Sequence, residues 1–162
     1  MIELENVIYL CIQSARQALA EFKLLGRFMY TGSCLCGEVG VEVSGSITSI
    51  IHCHCSLCRK NSGTAFATNG FVNIDDFTII KGQALLSEFS FKPGRTRYFC
   101  KCCGSPVYSS NSDDKSRIRI RLGILDSDIT EQVLSHNFVT SKANWEQLET
   151  SLPCYEKHEP SR

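Results

Sequence analysis

The sequence predicts a mainly β fold: an antiparallel-sheet, metal-binding domain preceded by an N-terminal helical extension. Three observations carry that prediction. From Tyr30 onward, apolar residues recur with period two in short runs bounded by turn residues. Few stretches after that point have helical spacing. Eight of the ten cysteines fall into three tight clusters, Cys34–Cys36, Cys53–Cys58 and Cys100–Cys103, at the spacing of zinc ligands.

Residues 1–28 form the exception to the β pattern. Val7, Leu10, Cys11, Ala15, Ala18, Leu19, Phe22 and Leu25 recur at helical spacing. Charged residues interrupt the stretch too often for a membrane span. Met29 directly precedes the cysteine-rich part, so two expectations stand: a helix docked on the domain, or a natural start at Met29. The division expected is 1–28 as extension, 29–155 as the zinc-binding domain and 156–162 as a C-terminal tail.

Val39, Val41 and Val43 alternate with Gly40, Glu42 and Ser44, which describes a half-buried strand. Phe77 to Gly82 reads as a strand ending in a glycine turn, and Leu86 to Phe91 as another, closed by Pro93-Gly94. Thr96 to Phe99 and Val107-Tyr108 flank the last cysteine cluster as arms of a hairpin. Ser116 to Leu125 is the clearest strand: Ile118, Ile120 and Leu122 face one way, and Arg117, Arg119 and Arg121 the other.

A chain of 162 residues with 43% hydrophobic and 21% charged residues is one ordinary domain with enough apolar mass for a core. Its formal net charge of zero gives no bulk attraction to nucleic acid or anionic membrane. Ten cysteines could instead make a disulfide framework. Against that, Met1 to Tyr30 carries Glu3, Glu5, Arg16, Glu21 and Lys23 and has no secretory pattern. Disulfide-dense chains are usually short and secreted, so metal binding in a reducing cytoplasm is the expectation.

The clusters divide by ligand count. Cys34 and Cys36 lie two apart, with Gly37 next to allow a tight turn; Cys100 and Cys103 form a Cys-x-x-Cys followed by Gly104. These two pairs make one closed, four-sulfur site, with Cys102 a spectator. Cys53, Cys55 and Cys58 make a second site of three sulfurs with a position left open. His52 or His54 could close it, although His54 is hemmed between two ligands; His54 could also serve as a supporting or proton-transfer group. Beyond these three ligands, the residues identify no catalytic group.

Charge decides which chemistry an open three-thiolate site suits. Three thiolates over-neutralise a dication, so a bound water is acidified less than at three neutral imidazoles. Such a site suits an incoming thiol, held deprotonated yet nucleophilic. Around it, the Arg117, Arg119, Arg121 stripe reads either as a solvated strand face or as a contact for substrate carboxylates. Arg59-Lys60 could meet an anion or only temper the thiolate charge. Trp145 and Phe138 read as core or edge packing, and Asp126, Asp128 and Glu131 as turn and helix-start residues.

Longer motifs carry a resemblance. Gly32-Ser33-Cys34-Leu35-Cys36-Gly37, Cys53-His54-Cys55-Ser56-Leu57-Cys58-Arg59-Lys60 and Arg97 through Pro106 are similar to the glutathione-dependent formaldehyde-activating enzyme family, whose domain is shared with centromere protein V. So are Leu122 through Asp126, Asn144-Trp145 and Leu152-Pro153. The resemblance spans Tyr30 to about Tyr155. It implies a β-tent fold with two Zn2+ ions per chain. One is structural on Cys34, Cys36, Cys100 and Cys103; the other is catalytic on Cys53, Cys55 and Cys58. The implied activity is that of a carbon–sulfur lyase forming S-hydroxymethylglutathione from glutathione and formaldehyde. The expected partners are a small thiol such as glutathione and an aldehyde, without nucleic acid or membrane. Departures are the N-terminal extension and Cys154. The alternative is a non-catalytic zinc module for protein or chromatin interaction, and a third is thiol redox or metal sensing through Cys102 and Cys154.

Overall fold

A computed structural model describes residues 29–149 and 151–160. The helix expected over residues 1–28 lies outside the described residues. Within them, β1 (Tyr30–Ser33), β2 (Gly40–Val43) and β5 (Phe77–Lys81) form a three-stranded antiparallel sheet. The other strands build an eight-stranded sheet in the order β11-β10-β3-β4-β9-β8-β7-β6. Their ranges are β3 (Ser49–Cys53), β4 (Ala67–Asn73), β6 (Leu86–Lys92), β7 (Arg95–Cys100), β8 (Pro106–Asn111), β9 (Asp114–Arg121), β10 (Val133–Asn137) and β11 (Cys154–Tyr155). One helix, α1 (Ser56–Ser62), follows β3.

The period-two pattern places the core. Val39, Val41 and Val43 from the small sheet meet Ile50, Val72, Ile118 and Ile120 from one face of the large sheet, and all are buried. Branched side chains on both faces interlock, and removing them from water supplies the main force joining the sheets. Gly70 of β4 has no side chain because Ile47 and Leu122 occupy that space; a Cβ there would lie 2.5 Å from Ile47 Cγ2.

The predicted strands at Val39, Phe77, Leu86, Thr96 and Val107 are present, and β7 pairs with β8 as the expected hairpin. Three expectations need correction. The sheet is mixed, because β10 runs parallel to both β3 and β11; these pairings join segments more than eighty residues apart in the case of β3, beyond the reach of local pattern. β9 stops at Arg121, and Leu122–Ile124 forms a 3-10 turn in which Leu122 and Ile124 still reach the core. Trp145 is 66% exposed, so it packs neither core nor edge. Among the described residues, no helix is long and apolar enough to cross a membrane.

No helix begins at Asp126, Asp128 or Glu131. Glu131 instead ties three segments together. Tyr30 donates its hydroxyl to Glu131 Oε2 at 2.6 Å, and the Ile47 amide donates to Oε1 at 3.0 Å. Burial raises the Glu131 carboxyl, but these donors outweigh it and hold the group below the ordinary range. A depressed folded value means the contribution is present above the unfolded value and is lost as pH falls through the folded one. Glu131→Gln should therefore cost about 1–3 kcal/mol at neutral pH, and the deficit should shrink as pH drops below about 4. Urea titrations at both pH values measure this; an equal deficit at each would refute the role.

Candidate metal centres and the cavity between the sheet and the tail

Cys34 and Cys36 lie in the turn leaving β1, while Cys100 ends β7 and Cys103 sits in the turn after it. Gly37 at φ 72° and Gly104 at φ 75° close the two turns in the left-handed region, where a side chain would strain the backbone. The Gly37 amide donates to Cys34 O and the Gly104 amide to Cys100 O, both at 2.8 Å. All four sulfurs come within 4.8 Å of one another. Such a cage can hold a metal ion and would fasten the small sheet to the large one. The Ser105 hydroxyl and amide hold the Cys103 thiol down, to about 5, which favours a thiolate ligand. Cys102 is exposed and outside the cage, as is Cys154.

The second cluster forms where β3 runs out. Cys53 is its last residue, Cys55 caps α1, and Cys58 lies in the first helical turn. The Cys58 amide donates to Cys55 Sγ at 3.4 Å, and Gly63 closes the helix in the left-handed region at φ 69°. What reads in sequence as a short loop is thus a capped helix that turns Cys55 and Cys58 toward Cys53. The three sulfurs also lie within 4.8 Å, with no fourth protein ligand joining them among the described residues. Cys53 and Cys58 together hold the Cys55 thiol down at about 2, while Cys55 and Cys58 push Cys53 up. One thiolate therefore resists the next, and a cation between them relieves that conflict.

The two clusters occupy opposite faces of the large sheet: Cys34, Cys100 and Cys103 belong to the main core, whereas Cys53 packs with Ile51, Phe71 and Phe138. Strand alternation sends His52 and His54 to the face away from Cys53. His54 is fully buried, with Nε2 2.9 Å from His136 Nδ1, and His52 stacks on Phe66 at 4.2 Å. Burial first, then His136, lowers both imidazoles, His54 to about 4. Neither closes the triplet. Arg59 donates Nε to His54 O at 3.3 Å, and neither Arg59 nor Lys60 lines the cavity. Their expected anion contact is replaced by a role for Arg59 in holding the turn.

Cys53, Cys55 and Cys58 open onto a cavity of about 510 Å³ on the outer face of the large sheet. Strand register builds its wall: Arg97 pairs with Ser109, Ser109 with Arg119 and Arg119 with Phe71, while Arg121 pairs with Asn69. The arginine stripe is consequently split. Arg117 pairs with Asp114 at 2.7 Å, but Arg119 and Arg121 face the cavity. Arg121 is buried, donates to Asn69 Oδ1 and to Asn61 Oδ1 (2.8 Å), and lies beside Cys58. Burial lowers its pKa and the neighbouring Cys58 opposes that shift; a guanidinium stays charged regardless.

The far wall comes from the C-terminal segment. The Phe138 amide donates to Lys157 O at 3.2 Å, Asn137 Nδ2 donates to Glu159 Oε2, and His158 meets the Phe138 ring edge-on at 4.8 Å. Phe138 and His158 thus line the cavity, so Phe138 serves the site rather than the core. Sequence reading missed Asn69, Arg97, Ser109 and His158, because only strand pairing and the packed tail bring them near the cysteines. Arg121 is the buried cation nearest the triplet, so Arg121→Met should lower metal affinity there about 10–100-fold and spare the four-cysteine cage. Chelator competition resolves the two sites; equal weakening at both would refute that local role.

Residues 29–141 match the family model described as glutathione-dependent formaldehyde-activating enzyme. A Halomonas elongata protein that carries this enzyme name provisionally is 26% identical over 129 residues, covering 74% of this chain and 80% of its own length. A crystal structure of a Rhodobacter sphaeroides protein shares the fold, with a TM-score of 0.54 at 22% identity over 64% of this chain and 96% of that one. With three cysteine motifs in order and a family match over most of its length, the chain belongs to the glutathione-dependent formaldehyde-activating enzyme family.

Proposed function

We propose that the protein is a zinc-dependent carbon–sulfur lyase that forms or cleaves the adduct of a small thiol with formaldehyde or another small aldehyde, glutathione being the thiol its family indicates. One observation carries this reading: three convergent cysteine sulfurs without a fourth protein ligand face a cavity large enough for a small substrate. A closed structural centre needs four ligands, and a catalytic one keeps a position free. Cys34, Cys36, Cys100 and Cys103 would hold the structural zinc, and Cys53, Cys55 and Cys58 the catalytic one. Both donor sets are soft thiolates, which suit zinc over harder cations.

Held by Cys53, Cys55 and Cys58, zinc supplies the affinity that keeps an incoming thiol deprotonated at neutral pH. The protein's own groups do the rest. Arg121 offsets the excess negative charge of the triplet. Phe138, Ile51 and Leu57 make an apolar flank beside the cysteines that limits water at the reacting carbon. In the addition direction the thiol loses its proton and its sulfur attacks the aldehyde carbon. The carbonyl π pair moves to oxygen, which takes up a proton to give the hydroxymethyl thioether. Cleavage reverses each movement. The nine described cysteines are free thiols, and a reducing cytoplasm is the compartment we propose. A purely non-catalytic interaction module would leave the cavity at the triplet without a use.

Metal analysis of the purified protein should find about two zinc ions per chain, falling to about one in Cys58→Ser. Formaldehyde consumption should require glutathione and fall at least about 100-fold in that variant. Activity indifferent to Cys58→Ser would sink the proposal.

A further inference from the structure

Five cationic side chains line the cavity, those of Lys92, Arg95, Arg97, Arg119 and Arg121, and among the described residues no Asp or Glu lines it. Two of the five are already committed: Arg121 lies beside Cys58 and two asparagines, and Arg95 pairs with Asp113 at 3.1 Å. Arg97 makes no ion pair with any carboxylate among the described residues. Its guanidinium lies 4.7 Å from the centre of the Phe91 ring, and that of Arg119 lies 5.2 Å from Phe71. Aromatic faces brace both groups without neutralising them.

Arg97, Ser109 and Arg119 stand opposite one another on three adjacent strands, β7, β8 and β9. Two strand spacings place the arginine backbones about 10 Å apart, with the Ser109 hydroxyl between them. Planar guanidinium forks are matched to carboxylate or phosphate oxygens, and a row of this width can take two such groups or flank one. The same wall has no acid to meet an ammonium group.

We propose that the row Arg97–Ser109–Arg119 is an anion subsite for the acidic tail of the thiol, and that the cavity favours thiols with two or more negative charges and no free ammonium. This rests on the reading of the cysteine triplet as a thiol site. It adds a preference that works against unmodified glutathione, whose α-ammonium finds no carboxylate on the wall.

S-methylglutathione and S-methyl-N-acetylglutathione differ by one ammonium and carry no thiol, so their binding reports the subsite independently of turnover. Titrated calorimetrically into the zinc-loaded chain, the acetylated ligand should bind about tenfold more tightly, and the advantage should narrow as salt is raised. Arg97→Gln and Arg119→Gln should each remove most of that advantage. Equal affinities, or tighter binding of the ammonium-bearing ligand, overturn the proposal on the unmodified protein alone. A preference that survives both substitutions overturns it as well. If the preference holds while no thiol yields a formaldehyde adduct, the anion subsite stands and the lyase reading falls.

Discussion

Thiolates crowded within a few ångströms repel one another, and the molecule is arranged around that constraint at two points. At each, the chain collects sulfurs whose ionisation is mutually opposed until a cation sits among them. The four-sulfur cage joins the end of β7 to the turn after β1, so its repulsion would be borne by the contact between the two sheets. The three-sulfur cluster bears on the end of β3 and on α1. Metal uptake and folding are therefore coupled in the first case, and metal uptake and the shape of a cavity in the second.

The eight-stranded sheet keeps these two tasks apart. Its inner face carries branched apolar residues onto the small sheet and includes Cys100; its outer face carries Cys53, Asn69 and the arginines. A period of two assigns alternate residues to each face, so a single strand serves both. In β9, Ile118 and Ile120 fill the core while Arg119 and Arg121 face the cavity. The charge of the outer face is graded by burial. Arg117 meets Asp114 at a partly exposed edge, where a salt bridge contributes little. Arg121, buried beside Cys58, has far less solvent to screen it.

The parallel addition of β10 and β11 completes the site. It brings Asn137 opposite Cys53 and leads the following chain, with Phe138 at φ 60°, across the cysteines. That left-handed conformation is uncommon for a bulky residue and is supported by the amide bond to Lys157 O and the edge contact with His158. Buried Asn137 is held from both sides, by the Ser135 hydroxyl and by Glu159. The tail is thus part of the cavity wall.

The amino-acid sequence by itself determined the mainly β class, most strand positions, the partition of seven cysteines into four and three, and the family. Those features are local: alternation, turn residues and ligand spacings each lie within a few residues. The helix at Ser56–Ser62 escaped because its cap is a cysteine rather than a common capping residue. Only the tertiary structure decided that His52 and His54 turn away from the triplet, that Arg119 and Arg121 are not a solvated face, and that Arg97, Ser109, Phe138 and His158 converge on one cavity. These outcomes depend on which strands pair and in which register. That choice is set by burial of the whole core and by contacts between residues far apart in the chain, which no local pattern encodes.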